Sequence, residues 1–212
     1  MKTALLLSGG MDSCALAWWL RPDFAITVDY GQLAARSEIA ASAAICELLS
    51  IDHLVVHVDC SSLGSGDMAG GQPDSLAPAS DWWPFRNQML ITFAGMKALP
   101  LGATRLLIGT VSSDGTHSDG RERFFELIGD LMFFQEGNLQ IDAPAISMRT
   151  VELVRHSGIP ASALAWAHSC HKSNVPCGQC RGCNKYFEVY HELGYDLDGN
   201  GAANASHRTD SL

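Results

Sequence analysis

Residues 3–7 read as a buried strand running directly into Ser8-Gly9-Gly10-Met11-Asp12-Ser13, and helical composition follows over residues 13–20 up to Arg21-Pro22. Strand, glycine turn and helix in that order restrict the rest of the chain, because a parallel partner strand is reached only through a crossover, usually a helix. The next segments fit. Phe24–Asp29 is a second apolar run, residues 33–49 place Ile39, Ala43, Ile45, Leu48 and Leu49 at helical spacing, and residues 54–58 make a third strand. The βαβαβ alternation predicts an α/β domain with a parallel sheet covered by helices.

After the third strand the composition changes. Residues 61–80 are rich in Gly, Ser, Pro and Ala without periodicity, which predicts a long mobile loop, either a tolerated insertion or a functional lid. Helical patterning returns at residues 87–99, and Arg105–Ile108 reads as a strand opening into a polar loop at 109–120. Residues 122–135 read as a helix with a core stripe of Phe125, Leu127, Ile128, Leu131 and Met132. Further helices are expected at 151–157 and 184–193, and a frayed tail at 196–212.

Charge and hydropathy narrow the function. Hydrophobic residues make up 47% of the 212 and charged residues 17%, which supports a packed core and argues against disorder over most of the length. Fourteen Lys plus Arg against 23 Asp plus Glu give −9, a poor footprint for nucleic acid or an anionic membrane. No apolar run approaches the roughly 18–20 residues that cross a bilayer, and the opening lacks a signal-peptide pattern, so a reducing cytoplasm is the expectation.

Two strings carry chemistry. In the Ser8–Ser13 loop, backbone N–H groups and the following helix N-terminus favour an anion. Glycines 9 and 10 permit close approach, Ser8 and Ser13 add hydroxyls, and Asp12 is placed to hold Mg²⁺ or cap the helix, an arrangement suited to pyrophosphate. The second string gathers four of the seven cysteines, Cys170, Cys177, Cys180 and Cys183, within 14 residues. In a reducing compartment four clustered thiolates suit tetrahedral Zn²⁺ in a closed, structural site, with an iron–sulfur cluster as runner-up. His168 and His171 flank the first cysteine and read as outer neighbours rather than ligands.

The SGGxDS string after a strand, with no Walker-type GK[ST], resembles the PP-loop of the ATP pyrophosphatases. Further strings stand in order behind it: Val28-Asp29-Tyr30-Gly31-Gln32, Pro84-Phe85-Arg86-Asn87, the loop from Asp114 to Arg121, and Ser169-Cys170 opening the cysteine set. Together they resemble the 7-cyano-7-deazaguanine synthase (QueC) family over nearly the whole chain. The resemblance implies an adenine-nucleotide alpha-hydrolase-like, Rossmann-like fold: residues 1–160 as the ATP-binding α/β domain and 161–195 as a small helical zinc-binding subdomain. It implies a homodimer that uses ATP, Mg²⁺ and one structural Zn²⁺ per chain. The carboxylate of 7-carboxy-7-deazaguanine would be adenylated, converted to the amide with ammonia, then activated again to the nitrile.

Carried over by position, Ser8, Gly9, Gly10, Met11, Asp12 and Ser13 hold the phosphates and Asp29 and Tyr30 lie near the nucleotide. Arg86 and Asn87 meet nucleotide or acyl-phosphate charge, and Asp114, Asp119 and Arg121 read the deazaguanine. Ser8, Asp12, Ser13 and Arg86 carry the catalytic assignment. The chain also departs from the family: its 114–121 loop is one residue shorter, lacks the usual aromatics and holds His117, and Thr150 stands where a Lys is common. These changes keep a second reading open, an enzyme that stops at an amide with another amine, such as a protein terminus in a specialised or defence pathway. A tRNA-modifying PP-loop enzyme is a third reading, which the −9 charge disfavours. A zinc-stabilised nucleotide-binding module without catalysis is a fourth.

Overall fold

In the computed structural model, which describes residues 1–195, five strands form one parallel sheet. They are β1 (Thr3–Leu6), β2 (Phe24–Asp29), β3 (Asp52–His57), β4 (Arg105–Ile108) and β5 (Gln140–Asp142), in the order β3-β2-β1-β4-β5. Helices α1 (Met11–Leu20), α2 (Ala35–Leu49), α3 (Gly66–Ala69), α4 (Arg86–Ala98) and α5 (Glu122–Phe134) lie between them in sequence. Helices α6 (Thr150–Ser157), α7 (Ala161–Leu164) and α8 (Arg181–Leu193) follow the last strand. The tail expected at 196–212 lies outside the described residues.

Strand alternation explains why the central runs are apolar throughout: each strand feeds both faces. Ala4, Phe24, Ile26, Val28 and Leu106 pack with Ile91 and Ala94 of α4 and with Phe125 and Ile128 of α5. Leu5, Leu7, Ala25 and Leu107 pack on the opposite face with Leu16, Ile45, Leu153 and Leu164. Each such buried Leu or Ile contributes ~1.5–3 kcal/mol relative to exposure. Val189 and Tyr190 of α8 join this second core, so the cysteine-bearing segment rests on the main sheet layer.

The chain moves outward from β1 to β2 and β3, then returns to place β4 on the other side of β1. Neighbouring strands whose connections leave in opposite directions open a crevice at their carboxyl ends. Into it run the loops after β1, β2 and β4.

Three sequence expectations change. Strand β5 was not anticipated, because its Gln140-Ile141-Asp142 has little strand composition; its pairing with β4 is reinforced by an Arg105–Asp142 ion pair. The stripe expected on α5 is narrower: Phe125 and Ile128 are buried, whereas Leu127 and Leu131 are 52% and 49% exposed. That helix packs beside the short edge strand, which covers one face only. Residues 61–80, expected as a long loop, hold α3 and a 3₁₀ turn at Ser61–Leu63 and are anchored by buried Met68, with Trp83 just beyond. Asp67 pairs with Lys172 at 3.2 Å, tying this segment to the cysteine region.

Candidate active site

The crevice is a cavity of about 560 Å³ bounded by the loop after β1, the end of β2, α4, the 109–120 loop and the start of α8. Of the residues singled out in sequence, Ser8, Gly10, Met11, Asp12, Ser13, Tyr30, Arg86, Asn87, Asp114 and Asp119 line it.

The loop after β1 is built around two hydroxyls. Ser8 Oγ and Ser13 Oγ lie 3.1 Å apart, Ser13 Oγ donates to the Gly10 carbonyl at 3.0 Å, and the Ser8 N–H points to Ser13 Oγ at 3.3 Å. Gly10 caps α1 and has no side chain, so the first N–H groups of that helix face the crevice. Gly9 does not line the cavity. It has φ +75°, and a Cβ there would sit 2.5 Å from the Glu38 carbonyl, so its part is to let the loop turn against α2.

Behind this loop the carboxylates of Asp12 and Asp114 share one ammonium. Lys185 Nζ donates to Asp12 Oδ2 at 2.8 Å and to Asp114 Oδ1 at 3.1 Å. Burial pushes the Asp12 carboxyl above its ordinary range against the pull of Lys185, and Asp114 adds to the rise. For Lys185, burial works downward but the two carboxylates win and raise it. Asp12 Oδ1 and the neighbouring Thr150 hydroxyl are buried without a well-formed hydrogen bond among the described residues.

On the β2 side, Tyr30 stacks edge-on against Trp83 with ring centroids 4.9 Å apart. Burial pushes its hydroxyl upward, so it stays a neutral phenol. Arg86 lines the cavity, donates to the Met68 sulfur at 2.8 Å, lies beside the Tyr30 hydroxyl, and makes no ion pair among the described residues. Glu38, which no sequence motif singles out, lines the same wall. Gln32 Nε2 donates to it at 2.7 Å, and burial pushes its carboxyl up to about 7.

The far wall joins three distant segments. Asp81 accepts from Arg181 at 2.9 Å and lies 3.2 Å from His117 Nε2 and 3.3 Å from His171 Nδ1. Burial opposes its ionisation, but the His117 hydrogen bond and the charges around it hold the carboxyl well below the usual range. Asn87 and Asp119 clasp each other, with Asn87 Nδ2 donating to the Asp119 carbonyl at 2.8 Å and its backbone N–H to Oδ2 at 3.1 Å. Besides Gly9, two expected residues fall elsewhere. Asp29 faces His57 Nδ1 at 3.1 Å and accepts from the Gly31 N–H, because strand alternation sends Val28 and Tyr30 inward and Asp29 out. Arg121 turns back to the Gly115 carbonyl at 3.0 Å and so braces the loop from outside the cavity.

The four cysteines converge as expected: their sulfurs all lie within 4.8 Å of one another, with Cys177–Cys183 at 3.9 Å and Cys170–Cys180 at 4.0 Å. Tetrahedral zinc with ~2.3 Å bonds requires sulfurs about 3.8 Å apart, so the set fits. Backbone N–H groups of Cys180 and Cys183 and of His171 point at these sulfurs at 3.4 Å. Those of Gln179 and Cys180 lower Cys177 to about 6, which favours the thiolate ligand. Cys14, Cys46 and Cys60 are separate buried thiols. Helix α8 starts from this knot with Cys180 as its cap. Gly182 makes the close approach possible, since a Cβ there would lie 1.7 Å from the Ser169 carbonyl. The His168 N–H then donates to the Gly9 carbonyl at 2.8 Å, joining the knot to the phosphate-type loop.

Sheet order, crevice and cysteine site define a Rossmann-like parallel α/β protein with a C-terminal site able to bind zinc. The chain belongs to the family described as Queuosine biosynthesis protein QueC, which matches residues 2–194. It is similar to the 7-cyano-7-deazaguanine synthase of Chlorobium chlorochromatii, at 32% identity over 92% of this chain and 94% of that one. Those of Desulforudis audaxviator (30%; 87% and 94%) and Methanosarcina barkeri (29%; 92% and 95%) are similar to a comparable degree.

Proposed function

We propose that the chain is an ATP-dependent ligase that turns 7-carboxy-7-deazaguanine into 7-cyano-7-deazaguanine. Its relatives carry the synthase name, and one observation supports the ATP-dependent step in particular. The Ser8–Ser13 hydroxyl cage and the α1 N-terminus open into the same cavity as the Arg86 guanidinium, which has no ion-pair partner among the described residues. Such a pair of anion-seeking groups suits a triphosphate whose reacting phosphorus lies between them.

The acid oxygen attacks the α-phosphorus of ATP, forming the acyl adenylate and releasing pyrophosphate. Ammonia adds to the carbonyl and expels AMP, which gives the amide. The amide oxygen is adenylated in turn by a second ATP, and loss of AMP with the remaining N–H protons leaves the nitrile. Ser8, Gly10, Met11 and Ser13 receive the leaving pyrophosphate, Tyr30 lies against the nucleotide, and Asn87, Asp114 and Asp119 face the acceptor side. Asp12, whose Oδ1 is buried and has no hydrogen-bond partner among the described residues, fits a Mg²⁺ ion at the phosphate end, which would supply charge neutralisation to the departing pyrophosphate. Zinc on the four cysteines would hold the start of α8 in place and leaves no open position for chemistry.

A second reading stops at the amide. It is favoured by the far wall, where His117 of the shortened loop is committed to Asp81 and Arg121 lies outside the cavity. Incubation with Mg-ATP, ammonium and the acid, followed by mass analysis, separates the two. The proposal expects nitrile with two AMP per turnover. A persistent amide with one AMP supports the second reading, and no AMP release removes both.

A further inference from the structure

We propose that Lys185 is the positioning cation of the phosphate site, and that the four-cysteine knot serves to deliver it. The inference rests on the adenylating role given to the cavity. Its grounds are geometric. Asp12 and Asp114 come from the first helix and from the loop after β4, and the one ammonium between them reaches in from α8, 173 and 71 residues away in sequence.

The charge count explains why that ammonium matters. Two carboxylates and one ammonium leave about one negative charge at the mouth of a loop meant for a polyphosphate. Without Lys185 there are two, and in a partly buried site water screens their repulsion of a polyphosphate poorly. Thr150 faces the same Asp12 carboxylate with only a hydroxyl, so among the described residues no second cation makes up the loss from that side.

Position on the helix supports the delivery. Arg181, Lys185 and Glu188 recur at helical spacing on one face of α8 and all line the cavity. Cys180 and Cys183 flank Arg181 and lie in the turn just before Lys185, so the knot sets the direction in which the ammonium points. Lys185 acts through Asp12 and Asp114, holding them together in the order Mg-ATP must meet.

The test measures binding of Mg-AMPCPP, a non-cleavable ATP analogue, by calorimetry, together with AMP release. We expect Lys185→Met to bind the analogue at least ~10-fold more weakly and Lys185→Arg to stay within about threefold of the parent protein, as a charge effect of 1.4 kcal/mol or more requires. The double variant Lys185→Met/Asp114→Asn, which restores the charge count while removing a further polar group, should bind at least about threefold more tightly than Lys185→Met alone. A merely structural lysine would make the double variant equal or worse, and that result overturns the proposal. So does unchanged affinity in Lys185→Met. Should that variant fail to fold, Lys185→Gln takes its place in the same comparison. If the parent protein binds the analogue but releases no AMP with the deazaguanine acid, the reaction is wrong while the Lys185 measurement still reads out.

Discussion

Glu38 shows how one side chain can be ordinary in sequence and unusual in place. Its carboxyl is raised from 4.5 to about 7, chiefly by burial against the loop after β1. A carboxyl raised in the folded state holds its proton longer than in the unfolded chain, so folding stability falls as pH rises from 4.5 to about 7 and stays low above it. Glu38→Gln keeps the acceptor that Gln32 needs and removes that cost. We therefore expect the variant to melt roughly 2–6 °C above the parent protein at about pH 8, with the gap closing near pH 4, read by thermal denaturation across pH. A gap independent of pH would contradict the assignment. Nothing in Ser37-Glu38-Ile39 announces this, because the burial comes from the β1 loop packing on α2. Lys185 and Asp81 were hidden for the same reason. Each is a single charged residue with no motif around it, and only the tertiary approach of α8 and of the segment after α3 makes it part of a cavity. The serines at 8 and 13 were legible because their work is local, set by a strand and a helix that are neighbours in sequence.

At the scale of elements, β2 and β4 were readable to the residue because apolar runs buried on both faces end sharply at polar loops. Helix α5 was overread: its pattern of Phe and Leu exceeds what the edge of the sheet can cover. Leu131→Gln should therefore change stability by less than ~0.5 kcal/mol, whereas Ile128→Ala should cost ~2–4 kcal/mol, both from urea denaturation. Equal losses would show that the outer face of α5 is covered after all. The four-cysteine knot was legible from spacing alone, since knuckle turns bring i and i+3 sulfurs together. Its link to the cavity was not, for it depends on the Gly182 contact and on the His168 to Gly9 bond. Cys180→Ser should lower bound zinc from about one per chain to well below half, measured by elemental analysis, and nucleotide affinity should fall with it. Zinc loss with unchanged nucleotide affinity would separate the knot from the site.

For the whole molecule, the crevice at the β1/β4 switch point suits the proposed reaction, which would spend ATP twice on one carbon. The chain's −9 charge suits a small-molecule substrate rather than a polyanion, and three of its 14 Lys and Arg residues, Arg86, Arg181 and Lys185, line the cavity. No helix among the described residues is long and apolar enough to cross a membrane. The central claim is that oxygen leaves the substrate carboxylate only by transfer to AMP. It is tested by supplying 7-carboxy-7-deazaguanine with both carboxylate oxygens as oxygen-18, with Mg-ATP and ammonium, and weighing the products. The expected result is an unlabelled nitrile and AMP in which every turnover deposits both heavy oxygens, one on each of two molecules. Heavy oxygen found in inorganic phosphate, or AMP without label, would contradict it.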